Sequence, residues 1–182
     1  MSSIMDPGSR TYLPPQQPTF SRASVCSGTV ETAYRRAGRG DTIVALAARE
    51  WRGAPVLFPT MAREFRLIVP ELDRPNDAPG ARPPFAVWLT AFLDGLGLDR
   101  VTLLADERFA GAALGSALIE PGRVARLVVV LDAADAEHPL AAADATMCGT
   151  GTKLYVTWLG ADPESAGSEV AAALLGGRRP PG

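Results

Sequence analysis

Five short apolar runs separated by stretches of helical periodicity constrain this chain more than any other feature. TIVALAA (42–48), RLIVPEL (66–72), VTLLA (101–105), ARLVVVLDA (125–133) and KLYVTWL (153–159) are rich in β-branched and aliphatic residues. RLIVPEL, VTLLA and ARLVVVLDA lack the apolar–polar alternation of a strand with one solvated face and read as buried strands, TIVALAA suits a central strand, and KLYVTWL is a last strand. Between two of them, FAVWLTAFLDGLGL places Phe85, Trp88, Leu89, Phe92, Leu93 and Leu96 on one stripe of a helix. Pro55–Glu64 carries Val56, Leu57 and Met61 at helical spacing, Arg108–Ile119 is a small-residue helix, and SEVAAALL closes the pattern with a last helix. Strands alternating with helices predict an α/β fold in three layers, a mostly parallel sheet covered on both faces.

Two further strands are expected ahead of this pattern. Ser24–Thr29 and Val30–Arg35 flank Gly28 as a hairpin, suited to an antiparallel edge, and a Gly-Arg-Gly-Asp turn leads from it into TIVALAA. DRPNDAPGARPP (73–84) is a loop dense in proline and glycine, and residues 133–150 are rich in alanine and aspartate, with an uncertain helical turn. Residues 1–22, with their Pro, Ser and Gln content, read as an extended arm. A single domain over 23–176 and a flexible tail over 177–182 complete the expected organisation, with no internal repeat.

The chain has 182 residues, enough for one well-buried domain and short for two. A formal charge of −2 leaves no electrostatic footprint for nucleic acid or an anionic membrane. No apolar run approaches the roughly 20 residues that span a bilayer, and the first residues lack the continuous apolar stretch of a secretory signal. Cys26 and Cys148 match no metal or redox spacing. The expectation is a cytoplasmic protein with reduced thiols, no metal and no cofactor; a single disulfide is the alternative.

Four phrases, in order, resemble the α/β-hydrolase family. REFRLIVPEL resembles its fourth strand with the helix lead-in, and AVWLTAFLDGLGLDRVTLL the helix and strand before the nucleophile. PGRVARLVVVLDA is similar to the entry into the following strand, and TWLGADP to the strand end that carries the acid of the triad. The resemblance runs from about Ser24 to Leu175. It implies a three-layer α/β-hydrolase-like fold whose lid and C-terminal strand and helix are reduced or missing. KLYVTWL stands either as the acid-bearing strand or as the final one with the acid-bearing strand deleted.

The same resemblance locates the chemistry. The family's G-x-S-x-G turn allows a sharp strand-to-helix bend that exposes a nucleophile. Here Ala105 stands at the first glycine, Asp106 before the nucleophile, Glu107 at the nucleophile, Arg108 after it and Phe109 at the second glycine. A carboxylate nucleophile exists in some members, but Glu107 is one methylene longer than aspartate and Phe109 crowds the bend. The family's His-Gly after the third strand becomes Ala47-Ala48, followed by Arg49 and Glu50, which alters the oxyanion site. Asp162 matches the triad acid, able to pair with Arg49 or Arg108, or else caps a turn before Pro163. The lone histidine, His138, falls where the family inserts a lid and reads as a loop residue. Trp51 and Phe109, at strand-end loops, are the candidates for lining a cleft; Trp88, on the helix stripe, belongs to the core.

These residues imply a catalytically degenerate α/β-hydrolase-fold protein that acts through small-molecule binding or subunit assembly. The candidate catalytic groups are Glu107, Asp106 and Asp162, and the candidate ligand-binding residues are Ala48, Arg49, Trp51, Arg108 and Phe109. The alternative is a non-hydrolytic lyase, isomerase or cyclase using the same carboxylates and arginine as acid and base. An apolar KLYVTWL at the sheet edge implies a homo-oligomer or a hetero-oligomer with an intact relative, and a small apolar ligand is the expected small-molecule partner.

Overall fold

Hydrogen bonding joins seven strands of the computed structural model into one sheet in the order β1-β2-β4-β3-β5-β6-β7. The structure describes residues 18–27, 30–72, 84–132 and 151–159, with 170 and 174. The elements run β1 (Ser21–Ser27), β2 (Val30–Ala37), β3 (Thr42–Leu46), α1 (Ala54–Met61) and β4 (Arg66–Pro70). They continue through α2 (Phe85–Gly95), β5 (Val101–Asp106), α3 (Glu107–Ile119), β6 (Val124–Asp132) and β7 (Lys153–Leu159). β1 and β2 form the expected antiparallel edge, and β2 pairs antiparallel with β4. From β4 through β3, β5 and β6 to β7 every pairing is parallel.

The apolar runs are explained by the layering. On β3, Val44 and Leu46 face the helices α2 and α3, whereas Ile43 and Ala45 face α1. β6 divides in the same way, with Leu127, Val129 and Leu131 on one side and Val128 and Val130 on the other. A strand between two helical layers has no solvated face and so no reason to alternate in polarity. Val170 and Leu174, one helical turn apart, join the α1 layer, and Arg126 Nη1 of β6 donates to the Leu174 carbonyl.

The helix stripe read from FAVWLTAFL is buried in α2: Ala86, Trp88, Leu89, Phe92 and Leu93 all lie inside. Trp88 is a core residue, and its indole Nε1 donates to the buried Thr32 hydroxyl of β2 at 3.1 Å. The helix ends where Gly97 adopts φ +67° and Leu98 N–H reaches back to the Leu93 carbonyl at 2.9 Å. On α3 the buried small residues are Ala110, Ala113, Ser116 and Ala117, while a side chain at Gly111 or Gly115 would meet nothing within 4 Å.

Several boundaries differ from expectation, among them those of β1 and α1. β1 begins at Ser21, inside the segment read as an arm, because Ser21 and Arg22 pair with Arg36 and Arg35 across the hairpin. α1 ends at Met61, three residues short of Glu64, because the chain must turn to enter β4 at Arg66. The segments 1–17, 73–83 and 133–150, and the tail 177–182, lie outside the described residues. No helix among the described residues is long and apolar enough to cross a membrane.

The Gly-Arg-Gly-Asp turn contains the tightest backbone constraint. Gly38 has φ +77°, and a Cβ there would stand 2.1 Å from the Phe65 carbonyl oxygen and 2.4 Å from that of Ala62. Gly97 shares the positive φ but has open space around it. Gly38→Ala is therefore expected to cost about 2–4 kcal/mol in urea-unfolding stability. Gly97→Ala carries only the left-handed backbone penalty, about 1–2 kcal/mol; equal losses for the two variants would contradict this placement.

Candidate functional site

β5 carries Leu103, Leu104 and Ala105 through the core and delivers Asp106 to the C-terminal edge of the sheet. Asp106 takes an ordinary extended conformation, φ −73° and ψ 173°, and caps α3. Its Oδ1 accepts the Phe109 backbone N–H at 3.0 Å, satisfying a helix N-terminal donor that has no partner within the helix. Its Oδ2 accepts the Ala48 backbone N–H at 2.8 Å, from the loop after β3. One carboxylate thus joins the start of α3 to the neighbouring strand's loop. It is 2% exposed.

Burial disfavours the charged form and raises the Asp106 pKa above its ordinary 3.8. The amides of Ala48 and Phe109, and the charge and amide of Arg108, pull the other way without overcoming desolvation. The folded protein therefore holds this proton more tightly than the unfolded chain does.

Glu107 is the first residue of α3 and is exposed, a favourable place for a negative charge beside the helix N-terminus. Arg108 is exposed beside it. Together with Ala48, Trp51, Arg52 and Asp106 they line a hollow of about 150 Å³. Trp51 is buried, its ring 5.8 Å from that of Phe58 and lying over Gly53, where any Cβ would come within 2.6 Å of the indole. The indole is fixed by its neighbours.

The structure brings Asp106, Glu107, Arg108, Ala48 and Trp51 to one place. It takes Phe109 elsewhere: that side chain is 0% exposed and packs against Phe85 at 5.9 Å. The third position of an N-capped helix points at the adjoining helix α2 and away from the strand end, so the expected cleft-lining role does not hold. β5 passes into α3 with no residue between them, Asp106 capping the helix, and the Phe109 side chain lies in the core. Arg49 does not line this hollow; it lines a groove with Arg22 and Arg35, and another that it shares with Glu50, Trp51 and Arg52. Asp162 and His138 lie outside the described residues. Glu50, noted in the sequence only as a neighbour of the altered oxyanion site, and Arg52, which sequence reading missed, also line the hollow; the alternating charges of Arg49-Glu50-Trp51-Arg52 were the available signal. Among the described residues no cluster of three metal-ligating side chains forms.

No protein-family model matches the chain. It is 27% identical over 117 residues to the 2-hydroxy-6-oxo-2,4-heptadienoate hydrolase of Pseudomonas putida, covering 58% of this chain and 42% of that enzyme. It is 25% identical over 128 residues to a 2-hydroxymuconate semialdehyde hydrolase from a Pseudomonas strain, covering 64% and 45%. Among solved structures, carboxylesterase CesB from Bacillus subtilis superposes with a TM-score of 0.54 at 20% identity, over 62% of this chain and 43% of that one. The chain spans less than half the length of the curated relatives it matches.

Removing the Asp106 carboxylate orphans two amides. Asp106→Ala is expected to cost about 2–4 kcal/mol in chemical unfolding. Formate, small enough to fill the vacated position, should raise the midpoint of this variant more than that of the parent protein; equal effects on both would argue that the carboxylate does not bridge the two amides. A pH dependence follows as well. Between 3.8 and the raised folded value the folded state binds more protons, so the Asp106 contribution falls as pH rises through that window. Asp106→Asn, though less stable overall, should lack this fall, as thermal melts across the acid range will show.

Proposed function

Taking this chain as a protein of α/β-hydrolase-like fold, we propose that it acts through binding or subunit assembly and not through hydrolysis. The observation that carries the reading is the Ala48 N–H bonded to Asp106. In a working hydrolase of this fold, a backbone donor from the loop after the third strand meets the negative charge that develops on the substrate. Here the protein's own carboxylate occupies that donor in the ground state. A substrate oxyanion at this place would have to displace a buried, doubly bonded side chain, and its charge would be repelled by any ionised form of it.

Two features support the same reading. Glu107 sits in the first helical turn, exposed, where an elbow would hold a nucleophile at a sharp bend. The hollow of about 150 Å³ is smaller than the roughly 300 Å³ at which small-molecule pockets begin. Assembly is supported at the other end of the sheet. Among the described residues β7 pairs on one side only, and Leu154 and Val156 lie along it. Proteins generally cover an apolar edge, and a second subunit, a copy of this chain or an intact relative, fits that requirement. Light scattering on the purified chain at micromolar concentration should report more than a monomer; a monomer alone would remove this part of the proposal.

One observation favours a second reading, a proton-transfer enzyme of lyase, isomerase or cyclase type. The raised Asp106 pKa beside Glu107 and Arg108 is the kind of perturbation that acid–base sites show. Against it, both Asp106 oxygens are already engaged by backbone amides. The absence of hydrolysis is tested by turnover of a panel of activated 4-nitrophenyl esters by the full chain. The expected result is no rate above buffer, unchanged by Glu107→Gln. Hydrolysis that disappears in Glu107→Gln would overturn the proposal.

A further inference from the structure

The β1–β2 hairpin sets two guanidinium groups against each other. Arg22 stands directly opposite Arg35 in the antiparallel register, and Arg35 lies across from Val69 of β4. Like charges in directly opposed positions destabilise a strand pair, so this arrangement calls for a counter-charge. Glu71 supplies one, accepting from Arg22 Nη2 at 2.6 Å. Arg35 has no carboxylate partner among the described residues. Arg49, from the turn after β3, lines the same groove, in which Glu71 is the single carboxylate. The lining thus carries the guanidiniums of Arg22, Arg35 and Arg49 and the Glu71 carboxylate, and Glu71 is bonded to Arg22.

The groove measures about 360 Å³, within the range of small-molecule sites. Its floor is apolar and firm: Ala47, Val69 and Leu72 are all buried, and Glu71 N–H donates to the Ala33 carbonyl at 2.8 Å, holding the floor to the hairpin. A guanidinium presents paired N–H donors that match the two oxygens of a carboxylate or phosphate. We propose that this groove binds a small organic anion, with its carboxylate or phosphate on Arg35 and its apolar body on the floor formed by Val69 and Leu72. The site depends on no chemistry at Asp106 or Glu107, and it stands whether or not the elbow is catalytic.

The test is a backbone-amide NMR titration of the full chain at constant ionic strength, with inorganic phosphate and benzoate added separately and sodium chloride as the blank. Saturable shifts confined to the hairpin and to Val69–Leu72 are expected. Saturation by phosphate alone assigns a phosphoryl ligand, by benzoate alone a carboxylate, and by both the shared chemistry. Arg35→Gln should weaken binding about tenfold or more, the worth of a charge-assisted hydrogen bond. Arg35→Lys, which keeps the charge and loses the fork, should weaken it by less, and it keeps the test informative if the first variant is misfolded. Arg66→Gln, in a separate hollow with Arg36 and Arg39, should leave affinity unchanged. Shifts that grow without saturating and match those of chloride would overturn the proposal, as would full affinity in both Arg35 variants.

Discussion

A single buried carboxylate, held between amides of two different elements, organises the C-terminal edge of this sheet. The Asp106 bond to Phe109 N–H starts α3, and its bond to Ala48 N–H fixes the loop that leaves β3. The carboxylate thus hydrogen-bonds both elements at once. A carboxyl group in a nearly dry position is a costly joint, and its two backbone donors offset that cost. The Ala48 N–H comes from the loop that supplies an oxyanion donor in working hydrolases of this fold, and here it is engaged by Asp106.

Most of the architecture was legible because the buried strands declare themselves. Runs such as LVVV in β6 have no polar alternation, which only a strand between two covered faces tolerates, and the α2 stripe has a helical period no strand would show. The antiparallel hairpin was legible from its turn, though its start was not. Ser21 and Arg22 look like arm residues by composition, and only the cross-strand pairing with Arg36 and Arg35 makes them strand.

The site was legible in its neighbourhood and misread in its details. The passage from strand to helix falls at residues 106–107, where the sequence placed it, but sequence spacing cannot say which side chain turns inward. Asp106 and Glu107 were read together as candidate catalytic groups, with Glu107 at the nucleophile position; the structure separates them, Asp106 being buried and bonded and Glu107 exposed. Phe109 looked like a cleft residue because it follows a strand end; the helix phase sends it against Phe85. The arginine groove was invisible for a different reason. Arg22, Arg35 and Arg49 are scattered over 28 positions, and they line one groove only when the hairpin closes onto β4.

The central claim is that the Asp106 carboxylate occupies the backbone donors at the end of β5. The most direct measurement follows the amide protons of Ala48 and Phe109 by NMR as pH is taken through the acid range. The account predicts that both are displaced well downfield, exchange slowly, and titrate together with the Asp106 carboxyl at one shared midpoint above 3.8. An Ala48 amide that exchanges at the rate of an open loop and ignores that titration would contradict it.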